Sequence, residues 1–320
     1  MQITEVAQDT YLIDPASDSE FSLGEIAYLL ADNPPVLIEP GSTTTASRLL
    51  SRSRELSINL DKVEYIIPTH IHVDHGGGSG FLAQKLPHTK VVLHPQGAKH
   101  MAEPAKLIHN TRLVFGEDFE ATFGPILPVP SDQIHVVHDS EVIHLEKRQL
   151  KVVFSPGHAS HHIAIFDSLT RGIFCGEALG IIPDNLPDFP LPAAVPPFEL
   201  QLYLETIDRL AHLHPSLLFY SHCGPRSNAQ KLIQQVKENT VVFGHIVQKA
   251  LEAGESDQKI WEHLTDHIKE RFPGAELPAQ YQLALSGYTS YFLKKQIYHS
   301  IPKDEKLDDG VSGTNAPEPN

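Results

Sequence analysis

The sequence contains few cysteines and few clustered positive charges, and both deficits exclude classes of protein. Only 2 of its 320 residues are cysteine, Cys175 and Cys223, too few for the disulfide framework of a secreted scaffold, although one bridge between them stays open. Lys and Arg number 25 against 40 Asp and Glu, which gives a formal net charge of −15, and basic residues cluster no further than pairs such as Lys147-Arg148. We therefore expect no nucleic-acid partner.

Long apolar runs are also missing from the chain. No apolar run approaches the roughly 18 residues that span a bilayer, and residues 1–15 lack the basic start and apolar core of a secretory signal. We therefore expect a cytoplasmic protein with no membrane partner. With 41% apolar residues, the chain is long enough to bury one large core or two modest ones.

Strand patterns and helix patterns alternate along the chain, which favours a layered α/β fold. Strand patterns occur in the first 40 residues and at 62–67, 90–93, 133–176 and 217–222. We expect residues 133–176 to form the second half of the sheet structure. Helix patterns occur at 46–56, 80–86, 96–120 with a break at Pro104, 198–212, 226–253, 256–271 and 278–298.

Histidine is the unusual component, with 20 residues, and imidazole is the commonest metal ligand in proteins. Residues 69–77 read Thr-His-Ile-His-Val-Asp-His-Gly-Gly and directly follow the strand pattern at 62–67. His70 and His72 alternate and can face one ion, whereas Asp74 and His75 lie past the turn and can face a second ion. The alternative is a polar loop that happens to be rich in histidine, which the density of four ligand-type residues in six positions disfavours.

This segment resembles the signature of the metallo-β-lactamase superfamily. Three further segments resemble the rest of that family's pattern, in the same order and each at the end of a strand pattern: Ser155-Pro156-Gly157-His158, Ile173-Phe174-Cys175-Gly176-Glu177 and Ser221-His222-Cys223-Gly224-Pro225. The resemblance implies that His158 completes an imidazole triad with His70 and His72 on a first metal ion.

The same resemblance assigns the remaining side chains of the metal site. It implies that Glu177 is the bridging carboxylate and that His222 joins Asp74 and His75 on a second metal ion. It also implies that Thr69 and His162 support the ligands from behind.

Two positions depart from the family's usual pattern. The bridging carboxylate is usually aspartate, whereas Glu177 is one methylene longer. We expect Glu177 to remain a ligand, and whether it bridges both ions or binds only one stays open. An early strand usually ends in Ile-Asp-x-Gly, whereas this chain has Ile38-Glu39-Pro40-Gly41, and we interpret Glu39 as structural.

The resemblance also implies a domain organisation. Residues 1–225 are expected to form the catalytic domain, a four-layer αββα metallo-β-lactamase sandwich. Residues 226–300 are then a C-terminal helical extension packed on that domain. Residues 301–320 are polar and acidic, and we expect a disordered tail there.

The implied chemistry is hydrolysis assisted by two divalent metal ions, with zinc as the default and iron or manganese as alternatives. Metal binding lowers the pKa of water from 15.7 to about 7, so no protein nucleophile is needed. Asp74 would act as a ligand, orient the water and carry its proton. The expected substrate bond is ester-like, that is a thioester, lactone or carboxylic ester. A phosphodiesterase of the same fold and an oxidoreductase similar to mono-iron persulfide dioxygenases are the alternatives.

A proline-rich segment follows Glu177 and can overhang the metal site. Residues 183–197 contain six prolines between apolar side chains. The predicted substrate-pocket residues are Ile181, Leu186, Phe189 and Tyr220, and the alternative is a packed crossover loop. We expect a small-molecule substrate, and formation of a homodimer is left open.

Overall fold

Two β-sheets face each other in the computed structural model, which describes residues 2–15, 24–53, 59–278 and 281–300. The first sheet contains, in spatial order, β1 (Gln2–Ala7), β2 (Thr10–Asp14), β3 (Ala27–Leu30), β4 (Val36–Ile38), β5 (Tyr65–Ile67), β6 (Lys90–Leu93) and β7 (Ile134–Val136). Strands β1 to β4 pair antiparallel, whereas β4 to β7 pair parallel.

The second sheet is built from the following part of the chain. It contains β8 (Val142–His144), β9 (Gln149–Phe154), β10 (Ile163–Asp167), β11 (Gly172–Gly176), β12 (Leu217–Tyr220) and β13 (Gly224–Arg226). Each of these strands pairs with the next one along the chain. The pairing is antiparallel except between β11 and β12, which are parallel and joined by a long crossover.

Helices cover the outer faces of both sheets. Those that precede the second sheet are α1 (Thr43–Ser53), α2 (Ser79–Lys85), α3 (Pro95–Ala102), α4 (Ala105–Phe115) and α5 (Phe119–Phe123). Those that follow β11 are α6 (Leu200–Ala211), α7 (Ala229–Glu252), α8 (Asp257–Arg271) and α9 (Gln282–Ser300).

Within the part of the chain that the structure describes, apolar clusters fill the spaces between the layers. The cluster between the sheets contains residues of both, including a contact of Tyr28 with the rings of Phe174 and Phe219. A second cluster joins the first sheet to α1, α2 and α3, for example through Leu49 and Leu82. The largest joins the second sheet to α6, α7, α8 and α9. This order of layers confirms the expected αββα sandwich with C-terminal helices.

One strand lies in a different sheet from the one that its sequence position suggested. Residues 133–176 were expected to form the second half of the sheet structure, but β7 pairs parallel with β6, with Val91 opposite Ile134, and therefore ends the first sheet. The second sheet begins only at Val142. The strand pattern predicts which residues form a strand but not which strand they pair with. Here β7 pairs with β6, which would otherwise be the edge strand of the first sheet.

Helix boundaries follow local breakers. The helical stretch at 96–120 divides into three helices, broken at Pro104 as expected and again at Gly116, which takes a φ of 89°. The C-terminal helices begin at 229, 257 and 282, and residues 301–320, with their expected disordered tail, lie outside the described residues. No helix in the described part of the chain is long and apolar enough to cross a membrane. Both cysteines are free thiols.

Candidate metal centre

Loops at one edge of the two facing sheets carry the histidine and carboxylate side chains. His70 follows β5, His158 follows β9, Glu177 follows β11 and His222 follows β12. After His72 the chain turns tightly, because the His72 carbonyl accepts hydrogen bonds from the amides of His75 (3.0 Å) and Gly76 (2.8 Å). Beyond that turn Asp74 and His75 join a second donor group, although the His75 ring stays close to the His70 ring, with 4.0 Å between ring centroids. A Cβ on Gly77 would lie 2.3 Å from the Val73 carbonyl oxygen, so this turn needs glycine there.

Among the described residues, two groups of side chains could hold a metal ion. The first donor group consists of His70, His72, His158 and Glu177. Its ring nitrogens converge, with His70 Nε2 2.8 Å from His72 Nδ1 and 3.2 Å from His158 Nε2. His72 Nδ1 lies 3.1 Å from His158 Nε2. Ligand atoms on a tetrahedral zinc ion are about 3.3–3.4 Å apart, so this spacing is close to that of a metal site.

The second donor group consists of Asp74, His75 and His222. His75 Nε2 lies 3.2 Å from His222 Nε2, and Asp74 Oδ2 lies 3.5 Å from the former and 3.7 Å from the latter. These separations also match the edges of a tetrahedral site. The structure therefore gathers all seven residues that the sequence pattern singled out as ligands.

Glu177 lies between the two groups. Its Oε2 atom is 2.8 Å from His158 Nε2 and 3.5 Å from His70 Nε2, both in the first group. The same oxygen is 3.5 Å from His75 Nε2 in the second group. The additional methylene of glutamate thus still brings one carboxylate oxygen within reach of both groups.

Hydrogen bonds at the far ring nitrogens fix the first group. His158 Nδ1 lies 2.7 Å from the Ala193 carbonyl oxygen, which makes Nδ1 the protonated nitrogen and leaves the lone pair of Nε2 directed inward. His70 Nδ1 lies 3.1 Å from Thr69 Oγ1. His162 lies beneath the His70 ring, with 4.9 Å between ring centroids, and its Nε2 accepts a hydrogen bond from the Glu177 amide at 3.3 Å.

Glu39 connects the two groups, although the sequence analysis assigned it only a structural role. Its Oε2 lies 3.1 Å from His75 Nδ1, and its Oε1 accepts hydrogen bonds from the hydroxyls of Thr69 (2.5 Å) and Ser221 (3.0 Å). Glu39 is buried and has a φ of 59°. Its position in Ile-Glu-Pro-Gly, where the family pattern usually has aspartate, was the signal for this role.

The second group has one further backbone support. His222 Nδ1 lies 3.2 Å from the Gly24 carbonyl oxygen. Next in the chain, Glu25 is buried and accepts hydrogen bonds through Oε2 from the Ser42 amide (2.7 Å) and hydroxyl (2.9 Å). Burial raises the pKa of the Glu25 carboxyl from 4.5 to about 7, and the charge of Asp74 raises it further while the hydrogen bonds oppose the shift. No motif pointed to Gly24 or Glu25.

The electrostatics suit cation binding. Burial, together with the neighbouring imidazoles, holds the pKa values of His70 and His72 well below the ordinary value, so both rings stay neutral and keep a lone pair. Burial would also lower the pKa of His75, but Asp74 and Glu39 raise it well above the ordinary value. In the metal-free protein His75 therefore favours its protonated form, and the positive charge of that ring takes the place of a metal cation beside Asp74 and Glu39. These donors and charges fit two divalent ions, with the metal itself not specified.

The two groups differ in access from solvent. The side chains of His70 and His158 are 0% exposed, whereas those of His222 and Asp74 are 20% and 28% exposed. His161 borders His72, with 5.8 Å between ring centroids, and burial lowers its pKa to about 3. His72 and His161 are also partly exposed, so within the described ranges solvent reaches the centre past Asp74 and His222 and also at the edge of the first group.

Three of the four predicted pocket residues lie in the core. Leu186 and Phe189 have 0% exposure and Tyr220 has 1%, and all three belong to the apolar cluster under the C-terminal helices. Ile181 is partly exposed and pairs with Leu191 in an isolated bridge. These positions fit the packed crossover loop, because a side chain that fills the core presents no surface to a substrate.

Known proteins are similar to this chain in sequence. A sequence model of the metallo-beta-lactamase superfamily matches residues 24–222, more than half of the chain. The chain is 25% identical over 207 residues to a metallo-beta-lactamase fold-containing protein of Sulfurisphaera tokodaii, an alignment that covers 60% of this chain and 77% of that protein. It is 23% identical over 142 residues to a hydroxyacylglutathione hydrolase of Legionella pneumophila, covering 44% of this chain and 41% of that enzyme.

Solved structures show the same fold. A metallo-beta-lactamase family protein from Thermus thermophilus superposes with a TM-score of 0.65 at 21% identity, covering 92% of this chain and 95% of the other. The range that matches the family model, residues 24–222, includes all seven candidate ligands. The chain therefore belongs to the metallo-beta-lactamase superfamily.

Proposed function

We propose that this protein is a metal-dependent hydrolase of ester-type bonds, with a thioester as the first substrate to test. The observation that carries the proposal is the position of Glu177 Oε2, within 3.5 Å of a histidine from each donor group. One carboxylate oxygen that serves both groups supports a pair of closely spaced ions rather than two separate sites. The donor set of imidazoles and carboxylates favours zinc, with iron and manganese as alternatives.

The protein's own residues would divide the work of hydrolysis. Divalent ions, when bound there, supply a water molecule that is acidic enough to serve as a nucleophile near neutral pH. Asp74 is the more accessible of the two candidate carboxylate ligands, at 28% exposure, and would orient such a water and accept its proton. His70 and His158 are fully buried and keep bulk water away from the inner side. The substrate would approach from the open side, past Asp74 and His222.

Two observations bear on the bond that is cleaved. The Legionella relative is named a hydroxyacylglutathione hydrolase, and an acyl group on glutathione is carried by sulfur as a thioester. That alignment spans less than half of the relative, so it supports a bond class and not a particular substrate. The net charge of −15 disfavours a polyanionic phosphodiester, because long-range repulsion would oppose its binding.

A substrate and metal panel tests the proposal. Metal-free protein is reloaded with zinc, manganese or iron, its metal content is measured, and thioesters, lactones, carboxylic esters and phosphodiesters are offered. We expect about two ions per chain and metal-dependent cleavage that is fastest for a thioester. His72→Ala should lose metal and activity together, whereas His109→Ala, at an exposed position in α4, should behave as the unmodified protein.

Two outcomes would overturn the proposal. Cleavage of phosphodiesters alone would replace the ester assignment with the alternative hydrolase. Oxygen consumption by the iron-loaded protein without any hydrolysis would indicate an oxidoreductase instead.

A further inference from the structure

A buried backbone segment, residues 190–194, lies between the first donor group and the C-terminal helices. We name it the strap. Its Ala193 carbonyl is the group that His158 Nδ1 contacts at 2.7 Å. Ala193 and Ala194 are 1% and 0% exposed, so solvent cannot replace this contact. The orientation of His158 therefore depends on where the strap is held.

Side chains from three helical elements hold the strap through its backbone. Asn239 of α7 donates a hydrogen bond to the Pro190 carbonyl at 2.7 Å. Tyr281, directly before α9, donates a short hydrogen bond to the Pro192 carbonyl. The hydroxyl of Tyr203 in α6 accepts from the Ala193 amide at 3.4 Å and donates to the Glu177 carbonyl at 3.0 Å. Tyr203 thus joins the strap to the segment that carries the shared carboxylate.

Helix α9 also contacts the strap through its own backbone. An ideal Cβ placed on Gly287 would lie 1.8 Å from the Ala194 carbonyl oxygen and 2.5 Å from its carbon. No side chain fits into that space, and Gly287 allows the helix to lie directly on the strap. A hydrogen bond from the Tyr288 hydroxyl to the Thr240 carbonyl (2.9 Å) fixes α9 to α7 at the same level.

From these contacts we infer that α7 and α9 position His158 through the strap and thereby set the metal affinity of the first donor group. Tyr281, Asn239 and Gly287 are positioning residues in this arrangement, since none of them is a candidate ligand. A carbonyl held at Nδ1 selects the tautomer with its lone pair on Nε2 and fixes the plane of the ring. Displacing the strap would release both constraints. The inference rests on the proposed function only in requiring that the first group binds metal.

Paired glycine variants test the inference. Gly287→Ala inserts a methyl group between α9 and the strap, whereas Gly244→Ala, within α7 at its contact with Tyr288, meets its nearest neighbour only at 3.4 Å. Zinc affinity is measured by competition with a chromophoric chelator, on metal-free protein whose folding is checked by circular dichroism. We expect Gly287→Ala to weaken one ion per chain by about 10–100-fold, the usual cost of losing support behind a ligand. The second ion and the Gly244→Ala protein should be unchanged.

Tyr281→Phe provides a second variant that removes one hydroxyl and adds no bulk. It should weaken the same ion by about two- to tenfold, as expected for one lost hydrogen bond. Combined with His158→Ala it should cause no further loss, because the strap then has no ring to hold. A purely structural role would instead lower the melting temperature of the metal-free protein and leave zinc affinity intact.

The outcomes separate this inference from the proposed function. If the unmodified protein binds zinc but Gly287→Ala and Tyr281→Phe bind it equally well, the positioning role is refuted and the metal site stands. A loss from Tyr281→Phe that is as large in the His158→Ala background would also refute it. If the unmodified protein binds no metal at all, the proposed function fails as well.

Discussion

The two donor groups contain similar side chains but have different surroundings. In the first group His70 and His158 are fully buried, and uncharged acceptors, the Thr69 hydroxyl and the Ala193 carbonyl, lie behind their rings. In the second group His222 and Asp74 are 20% and 28% exposed. That group also has a buried carboxylate directly behind one ring, since Glu39 lies 3.1 Å from His75 Nδ1.

This difference indicates a division of labour between the groups. A cation in the first group would lie among three imidazoles, two of them fully buried, and the Glu177 carboxylate, beside a segment that three helices hold in place, so it should exchange more slowly than one in the second group. A cation in the second group would lie at the open side, where substrate arrives. The first group is therefore suited to retaining a metal ion, and the second group to exposing a metal ion to the substrate.

Removal of a buried imidazole should have the largest effect. His158→Ala deletes a candidate ligand of the first group and removes the nearest imidazole contact of Glu177, at 2.8 Å. We expect loss of at least one metal ion and a fall in kcat/KM beyond the roughly 10–100-fold typical of supporting residues. Metal analysis and thioester hydrolysis would measure both. His212→Ala, which changes a histidine at the end of α6 outside both groups, is the control. Unchanged metal content in His158→Ala would contradict the enclosed first site.

Removal of a partly exposed candidate ligand should affect the two groups differently. His222→Ala deletes a member of the second group, while the nitrogens of the first group keep their spacing of 2.8–3.2 Å. We expect the metal content to fall from two ions to about one per chain and the remaining ion to exchange slowly. Isotope exchange of zinc followed by mass spectrometry would measure the rate. Loss of both ions together would show that the groups are not independent.

The sequence predicted which candidate ligands lie together better than it predicted the groups behind them. His70 could be singled out because it stands in a histidine-rich loop directly after a strand, and His158 and His222 because their segments at strand ends resemble the superfamily's motifs; the structure brings all three into the two donor groups. The Ala193 and Gly24 carbonyls could not be predicted, because any residue supplies a carbonyl and only the tertiary fold brings it to a ring nitrogen. Leu186 and Phe189 were expected at a pocket, because an apolar side chain gives the same signal in a core as on a wall.

Glu25 should affect the pH dependence of stability near the second group. Its pKa in the folded chain is about 7, against 4.5 unfolded, so folding favours its protonated form. Its contribution is fully present below pH 4.5 and is lost as the pH rises through about 7. The loss amounts to roughly 3 kcal/mol, since one pKa unit corresponds to about 1.4 kcal/mol. Glu25→Gln should remove this dependence in metal-free protein, measured by urea unfolding at pH 5 and pH 8. If the free energy of unfolding changes equally between pH 5 and pH 8 in both proteins, Glu25 does not cause the pH dependence.

Glu39 should affect the second group more than the first. Glu39→Gln keeps the size of the side chain but removes the charge behind His75, which is 3.1 Å away. We expect zinc affinity at the second group to fall by about 10–100-fold, the range for residues that orient a ligand. The first group should weaken less, because Glu39 reaches His70 only through the Thr69 hydroxyl. Chelator competition on the His222→Ala and Glu39→Gln proteins would distinguish the two sites. If Glu39→Gln lowers the zinc affinity of the first group more than that of the second, Glu39 supports mainly the first group and the prediction is wrong.

The smallest effect is expected from shortening the shared carboxylate. Glu177→Asp restores the residue that is usual in the family but withdraws the carboxylate by one methylene from a position where Oε2 is 3.5 Å from both His70 and His75. The first group retains three imidazoles, so its ion should stay bound, and hydrolysis should stay within about tenfold, a change of less than about 1.4 kcal/mol. The second group contributes only Asp74, His75 and His222 besides this oxygen, and its occupancy should change. Metal analysis at limiting zinc would show this as a different stoichiometry from that of the unmodified protein. Equal stoichiometry in both proteins would mean that the carboxylate serves the first group alone, and the two groups would then differ in ligand set as well as in exposure.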